Sequence, residues 1–360
     1  MNIAEIRSIL DPDVRPEQFK HDQFILVHLF AHLIVVFAIS IATALNINEL
    51  PWYAIVGLAM FAGHSVCMST FAVHEISHGA GRFRARWMRR FVEHLGWTFG
   101  LFTSATLQRR AHNRMHHQET NMRADPDRRL SVAEYASRPQ FLSTISPFIF
   151  PNGKHPFLTG LYGWGLAVTC YHNAIFWSTV LQTGRTHDMR LATQGRQRVV
   201  LEVLSNFAVY GAIWALSGFA FKMFVYIGLM YSTGAWIAGI YIATNHLLCG
   251  HHDHVNDPLA NTVSLRMPRW MDALHLRFSH HVEHHLYPHL PNSAYPTIRA
   301  ALRKHFPNQY REMTLPAAVR EILSRPFVML DNNTQVYPDG APPEVPVLFP
   351  NIPTSHPHES

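Results

Sequence analysis

Three groups of histidines carry most of the chemistry that can be read from this chain. They are His74 and His78; His112, His116 and His117; and His281, His284 and His285, out of 26 histidines in 360 residues. Imidazole is a common ligand for transition metals such as iron, zinc and copper. Eight ligands exceed the roughly four to six that one ion takes, so two metals held almost wholly by nitrogen are implied. On an α-helix, residues four apart share a face. His74 and His78 meet that condition, as do His112 and His116, while His117 is turned about 100° away and could serve a second metal. His281, His284 and His285 are spaced to share one helical face.

The elements that must position these groups are membrane helices. Residues 24–45, 52–73, 199–217 and 223–244 are long and apolar, the third carrying one acid, Glu202. A span needs about 20 apolar residues. Four transmembrane helices and a helical cap holding a His-rich dimetal site make an all-α membrane protein. Between Arg82 and Arg129 stand eleven arginines and no lysine, whereas the link after the first span has no basic residue. The positive-inside rule then puts both termini and the histidines in the cytoplasm, in a bacterial inner membrane. The basic residues flank spans and form no separate domain, which argues against nucleic-acid binding. Three scattered cysteines give no disulfide framework. No cleavable signal precedes the first span, which is expected to act as a retained insertion signal.

Residues 1–22 form a short amphipathic lead, 23–325 the membrane domain, and 326–360 a Pro-rich tail expected to be irregular. Residues 155–182 are apolar enough to cross the membrane. A lone crossing there would part the second histidine group from the third, so an interfacial or re-entrant course is expected. No GxGxxG fingerprint occurs, so electrons must come from another protein.

At the histidines the chain resembles the membrane fatty acid desaturase superfamily. The first box reads His74-Glu75-Ile76-Ser77-His78, and the second His112-Asn-Arg-Met-His116-His117, running on to Asp125-Pro-Asp127. The third reads His281-Val-Glu-His284-His285, approached by Pro268-Arg-Trp-Met-Asp272. The resemblance covers roughly residues 20–310. It implies four spans capped by a cytoplasmic domain holding two non-haem irons, with O2 as co-substrate and a fatty acyl chain as substrate. It also implies a ligand at the end of the fourth span, where Asn245-His246 stands: His246 as the ninth ligand, Asn245 acting through water. His251 competes with His246 for that place. Ferredoxin with its reductase is the natural external donor. Desaturation is the reaction the resemblance implies first; the second box has three residues before its His-His pair where many members have two, which keeps hydroxylation, acetylenic bond formation, ring ketolation and decarboxylation to a terminal alkene as alternatives.

Two other classes compete. His74-Glu75-Ile76-Ser77-His78 is a literal HExxH, which in a membrane zinc protease would supply two ligands and Glu75 as general base. A metal carrier would bind ions without consuming oxygen. In the oxidase reading Glu75 orients a ligand imidazole, and Asp125, Asp127 and Asp272 hold others by their free N–H. The alternative for the aspartates is helix capping or pairing with Arg128, Arg129 or Arg266. His28 and His32, inside the first span, are read as interhelical hydrogen-bonding residues, and His64 and His172 likewise.

Overall fold

The computed structural model describes residues 1–19, 22–100, 103–122, 125, 127–128, 131–132, 191–251, 256–326, 328–330, 334–336 and 344–349. The segment 155–182, His172, Asp253 and the neighbouring His252 and His254 lie outside the described residues. Among the described residues, four helices are long and apolar enough to cross a membrane: α2 (Phe24–Leu45), α3 (Trp52–His78), α7 (Thr193–Leu216) and α8 (Phe221–His246). Their outward sides carry exposed Phe30, Ile34, Phe37, Met60, Phe61, Leu204, Phe207 and Phe224. Such a girdle is stable in hydrocarbon and costly in water.

Both helices that deliver histidines run past the expected ends of their spans. At 1.5 Å per residue the 27 residues of α3 extend about 40 Å, some 10 Å beyond a hydrocarbon layer of about 30 Å. His74 and His78 occupy that extra length, and His246 is the last residue of α8. Gly79 stops α3 directly after its second histidine. It takes φ +109°, its N–H donates to the Ile76 carbonyl, and the Ala80 N–H donates to Glu75. This is a Schellman termination, which only glycine adopts without strain. The Arg89 guanidinium adds hydrogen bonds to the Ile76 and Ser77 carbonyls.

Helix α3 is the inner member: 61% of its most apolar stretch is buried, against 28–39% in the other three. It packs most extensively on α8 and α2. Where α3 crosses α8, Gly63 faces Met230 and Thr233, and Gly234 faces Val66. Small residues let membrane helices approach this closely, since van der Waals packing must hold them together in lipid.

The shorter elements build the cap. Helix α4 (Arg86–Phe99) leads to α5 (Ala105–Gln108), a π-helix (Arg109–His116) and α6 (His117–Glu119). Glu202, the acid in α7, explains itself here: its carboxylate accepts from the Thr106 N–H (3.0 Å) and hydroxyl (2.8 Å) and from Ser104, anchoring the start of α5. After α8 come α9 (Pro258–Asn261), β1 (Ser264–Arg266), α10 (Arg269–Leu274), α11 (His281–Leu286), α12 (Tyr295–His305), β2 (Glu312–Thr314) and α13 (Leu315–Ser324). Strands β1 and β2 pair in parallel, Leu265 opposite Met313.

The N-terminal lead is α1 (Ile3–Val14), begun by a capping box between Asn2 and Glu5. Its buried face, Ile6, Leu10 and Val14, packs with Val282, Leu286 and Ile298 over α11 and α12. Arg7 donates to the Leu286 carbonyl and Tyr287 to Asp11, each at 2.6 Å. The tail differs from the irregular course expected of it. Val328–Met329 (β3), Thr334–Val336 (β4) and Val345–Pro346 (β5) form an antiparallel sheet. Beyond it, Phe349 exchanges backbone hydrogen bonds with Leu248 and Gly250, just past His246. Pro346 lies opposite Thr334 in β5, an edge strand of this sheet, where a missing N–H donor is tolerated.

The α3–α8 crossing can be tested with a control on the same helix. A Cβ at Gly63 would lie 2.6 Å from the Met230 carbonyl, whereas one at Gly57 meets nothing within 4 Å. Gly63→Leu is expected to destabilise the detergent-solubilised protein by about 1–3 kcal/mol or more, as overpacking does. Gly57→Leu leaves the thermal midpoint unchanged. Equal midpoints for the two variants would show that this crossing is not a tight contact.

Candidate metal centre

The structure brings all nine expected histidines together and sorts them. His74, His78, His112, His117 and His284 offer ring nitrogens within 4.8 Å of one another, and His116, His246, His281 and His285 form a second such group. His246 belongs to the second group, and His251 belongs to neither.

The sorting corrects two expectations from α-helical spacing. In the second box His112 joins His117 in the set of five and His116 goes to the set of four, while His112 and His116 stay stacked at 5.0 Å and converge on Asp127. The cause is the π-helix Arg109–His116: the His117 N–H donates to the His112 carbonyl five residues back, which brings those two rings to 4.9 Å. π-Turns of this kind recur at functional sites. The third box does not act as one face either. His281 and His285, four apart, turn to the second group, while His284 turns to the first.

The ring nitrogens facing inward are consistently Nε2. In the first group His74 and His112 approach to 2.7 Å, His112 and His117 to 3.3 Å, and His117 and His284 to 3.2 Å. In the second, His116 and His246 lie 3.2 Å apart, His246 and His281 2.6 Å, and His281 and His285 3.2 Å. Four rings have Nδ1 committed outward. His74 donates to Glu75 (3.2 Å), His116 to Asp125 (2.9 Å), His284 to the Tyr295 oxygen (2.9 Å) and His285 to Thr120 (3.3 Å). A neutral imidazole has one proton. With it fixed on Nδ1, the Nε2 atoms of His74, His116, His284 and His285 present lone pairs to the rings gathered around them, as ligation of a cation requires. The buried Nε2 of His78 and both side-chain polar atoms of Asn245 have no protein partner, which fits the same conclusion. The donor set therefore suits metal ions that prefer imidazole.

Electrostatics favour the neutral ligand form. Burial, and then neighbouring imidazoles, hold the pKa values of His117, His281, His284 and His285 well below the usual range. Burial pulls His116 down too, but the Asp125 and Asp127 carboxylates outweigh it and raise the value.

Of the expected carboxylates, Asp125 holds His116 and is itself fixed by the N–H groups of Asn121 and Asp127. Asp127 stands 3.7 Å from His112 and 3.6 Å from His116. Asp272 does not hold a box histidine. It accepts from Ser279 and from His280, whose ring lies between Asp272 and Glu283. The short turn after α10 brings its carboxylate back on residues 279–280, ahead of the box. His280 is thus buried and paired. Glu283, inside the box, faces the other way and accepts from Arg299 (2.7 Å) and Tyr310 (2.6 Å).

Tyr295 and Thr120 escaped the sequence reading. The Tyr295 hydroxyl accepts from His284 and donates to Glu75 at 3.0 Å, so one phenol and one carboxylate brace ligands from two boxes. Thr120 carried a weak signal in its place four residues after His116, and Tyr295 carried none. The zinc-protease reading is not supported. The HExxH pair shares its group with three further histidines, and Glu75 is buried and held by His74 and Tyr295.

A cavity of about 60 Å³ reaches both groups. Phe71, Trp97, Leu107, Ile242 and Phe278 form its apolar side, and His74, His112, His116, His246 and His281 border the other.

Two outcomes are expected. Ferrous or zinc ion added to metal-free protein should raise its unfolding midpoint, each occupied site adding about 2.7 kcal/mol of stability at a hundredfold excess over Kd. The gain should persist through the ordinary histidine range and shrink only at lower pH, because burial delays the point at which protons compete for the same lone pairs. A midpoint indifferent to metal at neutral pH would show that the nitrogens do not form a site. Tyr295→Phe removes one hydroxyl and leaves Glu75 and the His284 N–H without it. A loss of about 10–100-fold in metal affinity is expected from competition with a chelator; unchanged affinity would deny Tyr295 its bracing role.

No curated protein matches the chain. The family model for fatty acid desaturases matches residues 50–316, which include all nine histidines. The chain therefore belongs to the fatty acid desaturase family, whose members are membrane oxidoreductases acting on fatty acyl chains.

Proposed function

We propose that this protein is an oxygen-dependent di-iron oxidase of fatty acyl chains, with desaturation as its reaction. The observation that carries the reading is the division of nine buried or half-buried histidines into groups of five and four, each with Nε2 turned inward. In this reading His74, His78, His112, His117 and His284 hold one iron. His116, His246, His281 and His285 hold the other, with Asn245 contributing through water. Iron so bound supplies the activation of dioxygen that breaking an unactivated C–H bond requires.

The chain's own residues do the rest. Glu75 and Tyr295 fix the first-group rings of His74 and His284, and Asp125 and Thr120 fix the second-group rings of His116 and His285. Restraint of this kind sets ligand orientation and raises ligand basicity. Phe71, Trp97, Leu107 and Phe278 give a methylene chain an apolar wall opposite the imidazoles and exclude water from the oxidised carbon. The substrate already resides in the bilayer that α2, α3, α7 and α8 would cross. The arginine-rich stretch from Arg82 to Arg129 supports a cytoplasmic position for the centre. An external donor, ferredoxin with its reductase, can reach the centre from that side.

The test is lipid profiling by mass spectrometry of a host expressing the protein, with and without air, together with iron analysis of the purified protein. A new double bond found only in air, with about two irons per chain, is the expected result. His284→Ala and His285→Ala, one from each group, should each abolish it. An added oxygen or a shortened terminal alkene would move the reaction within the family. No oxygen-dependent product from any acyl chain supplied would overturn the oxidase reading.

A further inference from the structure

Four histidines outside the centre gather where α2, α3 and the turn after α10 meet. His28 and His32 lie one turn apart on α2 with ring centroids 4.6 Å apart. His32 Nδ1 lies 3.2 Å from the Ser65 hydroxyl of α3, and its ring is 6.5 Å from that of His64. His64 Nε2 is 3.4 Å from His275 Nε2, and His275 Nδ1 is 2.6 Å from the Tyr241 hydroxyl of α8. None of the four joins a three-ligand metal group among the described residues. Ionisable groups in a membrane helix are expensive, and interhelical hydrogen bonding alone would need fewer of them.

The row has a direction. The Tyr241 hydroxyl lies 2.6 Å from His275 Nδ1 and 3.4 Å from Met267 Sδ; with its hydrogen on the shorter contact, the His275 proton stands on Nε2, facing His64 Nε2. At the far end the Leu274 carbonyl can only accept, so His28 donates from Nε2 and keeps Nδ1 as a buried acceptor without a partner. On its other side Tyr241 meets the centre through rings. It stands edge-on to Phe71 at 5.3 Å and to Phe278 at 5.8 Å, and those two rings stack at 4.1 Å. Phe278 in turn lies 5.1 Å from His74 and 5.7 Å from His281, one residue from each ligand group. A phenol with an acceptor for its proton, one aromatic ring away from both groups, is arranged for proton-coupled loss of an electron.

We propose that Tyr241, with His275 as its proton acceptor, is a redox outlet that protects the metal centre when the dioxygen-derived oxidant forms without a substrate C–H bond in place. The phenol O–H bond breaks. Its proton forms a new N–H bond at His275 Nδ1, and one electron passes across Phe278 and reduces the oxidant by one equivalent. Tyr241 becomes a neutral phenoxyl radical and His275 an imidazolium, which hands its Nε2 proton to His64. One electron from the external donor and the returning proton restore the phenol. The proposal rests on the oxidase reading.

The experiment uses iron-loaded full-length protein in lipid nanodiscs, given reductant and dioxygen without acyl substrate, then frozen for electron paramagnetic resonance. The wild-type protein should show a tyrosine-type radical. Tyr241→Phe, which keeps the ring, should lack it. With substrate present, Tyr241→Phe should keep the initial rate per iron but complete several-fold fewer turnovers before inactivation. His275→Gln should lower the radical yield while the phenol remains, which a merely structural role for the pair would not produce. Iron content and thermal midpoint are measured on each variant. Equal radical signals and equal turnover numbers in wild type and Tyr241→Phe, with wild type forming its aerobic product, would overturn this inference alone. Absence of any aerobic product from wild type would overturn the oxidase reading and this inference with it.

Discussion

An imidazole can turn its Nε2 lone pair toward a metal only if its single proton is kept on Nδ1. The cap of this protein is organised around that constraint. Glu75, Asp125, Tyr295 and Thr120 each take one Nδ1 proton, and each is positioned by a different piece of the chain. Glu75 rides on α3 between the two histidines of its box. Asp125 is held by backbone N–H groups of the loop that carries it. Tyr295 starts α12, which α1 and α11 press against the rest of the cap. The helices that cross the membrane thus supply the platform, and the cap supplies the protons' resting places.

The same constraint explains why so much of the polar network lies one step behind the histidines. Glu283 sits inside the third box yet faces away, tying Arg299, Tyr310 and Ser264 together. Burial alone would favour its neutral form, but the Arg299 guanidinium and the partners around it keep it ionised. That anchor fixes the roll of α11 about its axis and so decides which of its histidines look toward which group. Glu202 does the same for the second box from a greater distance, by holding the first turn of α5.

Residue type and spacing made the eight box histidines and the four long apolar helices legible, because both signals are local and periodic. Asp125 and Glu75 were legible for the same reason, being close in sequence to the rings they hold. What escaped depends on backbone register or on distant contacts. α-Helical spacing put His116 with His112, and a π-turn puts His117 there instead. Asp272 looked like a brace from its approach to the third box, but the intervening turn gives it to Ser279 and His280. Tyr295 reaches Glu75 across 220 positions, and no local pattern announces a contact of that range. The tail's pairing of Phe349 with Leu248 and Gly250 is equally non-local.

The π-helix with the first residue of α6, and α11, each send histidines to both groups: His112 and His117 against His116, and His284 against His281 and His285. Adjacent residues on a single turn are separated by covalent geometry, which does not stretch. The distance between the two groups is therefore gauged by two short helical segments, independently of how the long helices tilt or how the bilayer thickens. Motion of α3 against α8 pulls on one group through His74 and His78 and on the other through His246, and the two short segments tie the groups together against it.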